Sequence, residues 1–137
     1  MKTHRILAVV LAAMLLFGCS GKYRQEKSLL TAVTKAMETL TAAINSAGAP
    51  PELTSAITAF TDQIEKLAPS MKRISSEHPE WGTNPPPELK DTMDKFKSAS
   101  SGLQGAMPKV MQMASQYADD AELQSALEKF QSVLGGL

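Results

Sequence analysis

PELTSAITAFTDQIEKLAPSMKRISS, residues 51–76, is the stretch whose spacing points to one kind of architecture. Its apolar residues Leu53, Ile57, Phe60, Ile64, Leu67, Met71 and Ile74 follow one another by alternating steps of four and three. At 3.6 residues per turn, such steps align side chains along one side of an α-helix. The intervening positions are mostly Thr, Ser, Asp, Gln, Glu and Lys, which suit water. A helix with a single apolar stripe has to cover that stripe against something else.

The rest of the chain offers three partners of the same kind. Leu30, Val33, Met37, Leu40 and Ile44 form a second seam. Leu89, Met93, Phe96, Ser100, Leu103, Met107, Val110, Ala114 and Tyr117 form a third, with Ser100 its one markedly polar member. Leu123, Leu127, Phe130, Leu134 and Leu137 form the fourth, with Leu127 near its middle, whereas Lys95 falls between seam positions and should face water. No segment alternates with period two over the length of a strand, so a sheet has no support. The expectation is an all-α, antiparallel up-down-up-down four-helix bundle over residues 22–137, with helices at about 22–47, 51–76, 87–117 and 120–137.

The punctuation agrees with these bounds. Ser46-Ala47-Gly48-Ala49 closes the first helix, and Pro50-Pro51-Glu52 opens the second with proline and acid where the helix start favours them. Asn84-Pro85-Pro86-Pro87-Glu88 opens the third, and Asp119 with Glu122 three residues on reads as a capping box for the fourth. The connector from Ser75 to Pro87 is long and stiffened by proline; the other two are short, which favours antiparallel neighbours. The apolar spacing continues past Pro69 and Pro108, which therefore read as kinks inside helices. The pattern Glu-Leu-x-x-x-apolar-x-x-Phe starts at Glu52, Glu88 and Glu122. It reads either as shared helix-start physics, the simpler account, or as true repeats.

Ahead of the bundle, Lys2, His4 and Arg5 precede an unbroken apolar run from Ile6 to Phe17. As a helix this run would span about 18 Å, short of the roughly 30 Å of a bilayer's hydrocarbon, which suits an export signal better than an anchor. The run ends in Leu16-Phe17-Gly18-Cys19. These four residues resemble the lipobox of bacterial lipoprotein precursors: an aliphatic residue, a variable one, a small one and then cysteine. The resemblance implies cleavage between Gly18 and Cys19, a diacylglycerol on the Cys19 thiol, and acylation of the new amino terminus. It divides the chain into a signal peptide (1–18), a lipidated terminus with a short tether (19–21) and the bundle. Two or more chains, at about 0.8 kcal/mol per buried CH₂, give stable anchoring where one gives marginal binding. In Gram-negative lipoproteins the next residue aids sorting, and Ser20 is not the aspartate that retains a protein on the inner membrane. The implied location is the cell envelope, on the outer membrane facing the periplasm.

Composition narrows the chemistry. Cys19 is the one cysteine, leaving no disulfide framework, CxxC pair or thiolate cluster. Removing residues 1–18 from the 137-residue chain leaves 119 residues with 12 of the 14 basic residues against 14 acidic ones. That balance suits neither nucleic acid nor a polybasic membrane patch. The mature part keeps a single histidine, His78, too few for a zinc site. No phosphate-cradling glycine loop and no CxxCH haem-attachment sequence occurs. Met107, Met111 and Met113 offer thioethers to Cu(I), but the last two are two residues apart and point to different faces; core filling is the simpler role. Trp81, in His78-Pro79-Glu80-Trp81-Gly82, reads either as a docking aromatic for a partner or ligand, or as a cap over the open end of the core.

A second resemblance rests on Met37-Glu38-Thr39-Leu40, the proline-containing connector and Pro87-Glu88-Leu89-Lys90-Asp91 with Phe96. These are similar to segments of the small periplasmic b-type cytochromes, four-helix bundles that hold haem between a methionine of the first helix and a histidine near the end of the last. Met37 falls on the methionine position, but the fourth helix reaches Leu137 without a histidine, and His78 lies in a different element. The resemblance supports the topology and opposes ordinary haem ligation. The expectation is therefore a non-catalytic binding or scaffolding module without cofactor or metal, held on the membrane through Cys19 and meeting an envelope protein partner. The alternative is a carrier of an apolar ligand or tetrapyrrole, with Met37 and Trp81 as the candidate contacts.

Overall fold

In the computed structural model residues 23–136 are described. The Leu16–Cys19 motif, with the cleavage site at Gly18 and the acylated Cys19, lies outside the described residues. Among the described residues there are four helices: α1 (Arg24–Ser46), α2 (Pro50–Glu77), α3 (Lys90–Gln116) and α4 (Ala121–Gly135). Two short 3-10 turns, Pro79–Gly82 and Pro87–Leu89, interrupt the connector between α2 and α3. No strand occurs among the described residues. The protein is an all-α four-helix bundle.

Local chemistry sets the helix ends. Pro50 and Pro51 occupy the first turn of α2, where the missing N–H groups have no helical partner to lose. The Glu52 carboxylate reaches back to accept from the Gly48 backbone N–H at 3.1 Å, closing the tight α1–α2 turn. At α4 the cap falls one residue later than the spacing suggested. Asp120, rather than Asp119, is the N-cap, and its Oδ1 accepts from the Leu123 N–H at 3.0 Å. Asp120 has the extended backbone an N-cap needs, which no sequence pattern of acids distinguishes from its neighbour's. Both prolines inside helices are accommodated without ending them. Pro69 and Pro108 are exposed, as are Glu65 and Gln104 four residues earlier, so each freed carbonyl belongs to the solvent-facing side.

Chain direction alternates, yet the helices are not neighbours in simple sequence order. α1 packs against both α2 and α3, and α4 packs against α2. The connector carries the chain from the end of α2 so that α3 starts beside the start of α1: Leu89 and Met93 cluster there with Leu30 and Tyr23. At the other end Lys109 Nζ donates to the Asn45 carbonyl at 2.9 Å. α1 and α3 therefore run parallel and side by side. α2 and α4 do the same, joined by the Phe60–Phe130 ring pair at 5.7 Å between centroids and by Lys129, whose Nζ donates to Asp62 Oδ1 at 3.2 Å. The bond to Asp62, with the nearby Glu65 carboxylate, raises the Lys129 pKa. The small contribution of this exposed pair is thus present at neutral pH and is lost as pH rises through the raised value.

The α1–α3 contact explains where the observed core departs from the apolar spacing. Ala99, Ala106 and Met113 are buried in α3, where Ser100, Met107 and Ala114 were expected to carry the seam. Small side chains turn toward α1 because the two helices approach closely; a Cβ built on Gly102 would lie 3.9 Å from Thr41 Cγ2. Tyr117 and Leu134 are each 40% exposed rather than seam residues. In α4 the buried face is Leu123, Ala126 and Phe130, and Leu127 is half-buried against the core. Lys95 is exposed as expected.

Leu123→Asp should therefore be the most damaging change in α4, because it buries an unpaired carboxylate at a fully enclosed site, costing about 4 kcal/mol or more. Leu127→Asp should cost less, and Lys95→Asp should stay within about 0.5 kcal/mol; chemical denaturation followed by circular dichroism measures all three. Thr61 in α2 is 1% exposed and its hydroxyl has no hydrogen-bond partner. Thr61→Val removes that hydroxyl at nearly constant shape and should stabilise the fold by about 1 kcal/mol in the same assay.

Candidate functional site

The end of the bundle where α1 begins and α2 stops gathers most of the chain's unusual side chains. Its centre is Trp81, carried on the first 3-10 turn and only 6% exposed. Pro79 starts this turn, and the Trp81 N–H donates to the His78 carbonyl at 3.2 Å. The indole is held on three sides. Tyr23 meets it edge-on, with ring centroids 5.1 Å apart and planes at 86°. The His78 imidazole stacks on it at 3.9 Å and 7°. Leu89 and Met93, at the start of α3, pack with it as a small second core. Each contact buries aromatic face that water would otherwise cover, and the edge-on pair adds a favourable quadrupole term.

Tyr23 is held in an unusual way. Its φ of 67° places it in the left-handed region, the one non-glycine residue among those described that lies there. Such a conformation costs roughly 1–2 kcal/mol for a residue with a side chain. The edge-on ring contact with Trp81 acts in the opposite, favourable direction.

Beneath Trp81 lies a cavity of about 310 Å³, bounded by α1, α2, α3 and the connector. Leu30, Val33, Ile74, Met93 and Phe96 form much of its apolar wall; Lys72, Ser75 and His78 bring its polar groups. His78 Nδ1 is 3.6 Å from Glu80 Oε1, outside hydrogen-bond distance, and the imidazole is held by its stack on the indole. Among the described residues, no three or more His, Cys, Asp or Glu side chains are grouped to hold a metal ion. No described helix is long and apolar enough to cross a membrane.

The two residues singled out as candidate contacts do not meet in one site. Trp81 lines the cavity, whereas Met37 belongs to the main core, 6% exposed among α1, α2 and α3 residues. Val33, one turn before Met37, is the α1 residue that reaches the cavity wall. Met111 is 61% exposed and Met113 is 6% exposed, so these thioethers do point to different faces. Met71 and Met93 both line the cavity instead. Tyr23, Lys72 and Phe96 were not singled out as site residues. An aromatic just before the first helix and a lysine between Met71 and Ile74 were the available signals, but both are common on ordinary helices.

Comparison of the chain with family models, with curated proteins and with solved structures finds no match.

Met37 lies in the main core, and the one histidine among the described residues, His78, is stacked on Trp81 instead. Titration of the intact chain with haemin should accordingly give no stable low-spin, six-coordinate spectrum. Tight six-coordinate binding would instead place a histidine and a methionine about one iron and support the carrier.

Proposed function

We propose that this chain is a lipoprotein of the cell envelope, anchored through acylated Cys19, whose bundle is a non-catalytic binding module at the membrane surface. The observation that carries the reading is the position of the apolar cavity. Its lining joins the N-terminal part of α1 to the end of α2, and Trp81 in that lining meets Tyr23, four residues after Cys19. Four residues reach at most about 14 Å, so an acylated Cys19 would keep that end, rather than the α1–α2 turn, next to the lipid. The lipobox resemblance supports the anchor, and the sparse catalytic chemistry of the chain supports binding over turnover. An outer-membrane position facing the periplasm follows from Ser20 under the sorting behaviour of Gram-negative lipoproteins.

Replacing Cys19 with serine removes the thiol that accepts the diacylglycerol. Cys19→Ser should abolish incorporation of a palmitate analogue and move the protein from the membrane to the soluble fraction, with helicity unchanged. Label retained by the variant would remove the lipoprotein reading.

A further inference from the structure

We propose that the cavity beneath Trp81 binds the hydrocarbon chain of a free long-chain fatty acid, with its carboxylate at Lys72. The proposal deepens the binding-module reading and rests on it.

Size and lining decide the class of ligand. A volume of about 310 Å³ lies at the lower end of small-molecule sites, which run from about 300 to 1,000 Å³. It suits one narrow chain better than a two-chain lipid or a macrocycle. The wall offers Leu30, Val33, Ile74 and Phe96 with the thioethers of Met71 and Met93, which adapt their shape to a flexible guest. Each methylene withdrawn from water into such a wall favours binding.

Charge selects the head group. Lys72 lines the cavity on an exposed stretch of α2, and among the described residues no carboxylate forms an ion pair with its ammonium. The other titratable lining residue is His78, whose Nδ1 lies 3.6 Å from Glu80 Oε1. A single cation beside an apolar pouch matches a carboxylate on an alkyl chain. Position supplies such ligands: the short tether holds this end at the bilayer surface, where single-chain amphiphiles partition.

Trp81 is the chain's one tryptophan and lines the cavity, so its fluorescence reports occupancy directly. Bromine quenches indole emission on contact. The native chain, reconstituted in phosphatidylcholine vesicles, is titrated with dibrominated stearate and, separately, examined in vesicles of dibrominated phosphatidylcholine. Saturable quenching by the stearate alone is the expected result. Lys72→Glu should weaken it about fivefold. At Gly82 a new Cβ would meet no atom within 4 Å, so bulk can be added there without a backbone clash. The double variant Ser75→Phe, Gly82→Phe crowds the cavity from α2 and from the connector and should weaken binding about tenfold or more, with helicity retained. Equal quenching by both brominated lipids means that Trp81 dips into the bilayer, and overturns the proposal. Quenching by stearate in Cys19→Ser but not in the native chain means that the protein's own acyl group fills the cavity, and also overturns it. No quenching in either chain does the same. Palmitate labelling reads the anchor separately: quenching without labelling leaves the site standing and removes the lipoprotein reading.

Discussion

Helix α1 has to satisfy two neighbours at once, and the rest of the bundle is arranged around that demand. Val33, Met37, Leu40 and Ile44 are buried in a core shared with both α2 and α3. A stripe that serves two partners has to be broad, and α1 widens its own with Ala36 and Thr34, both buried. The Thr34 hydroxyl is tolerated there because it donates to the Leu30 carbonyl at 2.7 Å within the same helix. The closeness of α3 then follows from alanine and glycine on its facing side, and α4 is left to cover α2.

How much of this was legible can be followed residue by residue. Four helices and their approximate bounds followed from spacing, because alternating steps of three and four have one structural meaning. The α2 seam matches the apolar spacing at Leu53, Ile57, Phe60 and Ile64, since α2 carries large side chains where it is buried. The α3 seam does not match, because ranking positions by size favours Met107 over Ala106, whereas a close helix pair favours the smaller residue. The same bias chose Leu127 over Ala126 in α4. Of the neighbour order, the antiparallel α1–α2 pair followed from its short connector, whereas the α1–α3 and α2–α4 pairs did not. A long connector permits either an adjacent or a parallel placement of α3, and only the packing of Leu89 and Met93 near Leu30 distinguishes them.

The candidate site was legible in part for the same reason. Trp81 stood out as a lone indole in a polar, proline-rich segment, and it lies at the centre of the small second core. His78 comes from the same segment, whereas Tyr23 precedes α1 and Leu89 and Met93 stand at the start of α3, brought there by the crossover of the connector. Met37 attracted notice through its helix position, yet burial in the main core makes it ordinary packing in the geometry observed.

The parallel pairing of α1 with α3 has a consequence for how the chain is made. Contacts such as Lys109 with Asn45 join residues 64 apart, so the principal partner of α1 is synthesised long after α1 itself. The α1–α2 hairpin appears first, with one flank of its apolar stripe still uncovered. Loop-closure entropy then delays the docking of α3, placing a non-local step late in an otherwise local helical assembly. Until that docking occurs, the nascent hairpin carries the exposed apolar surface that chaperones recognise and that favours association between chains.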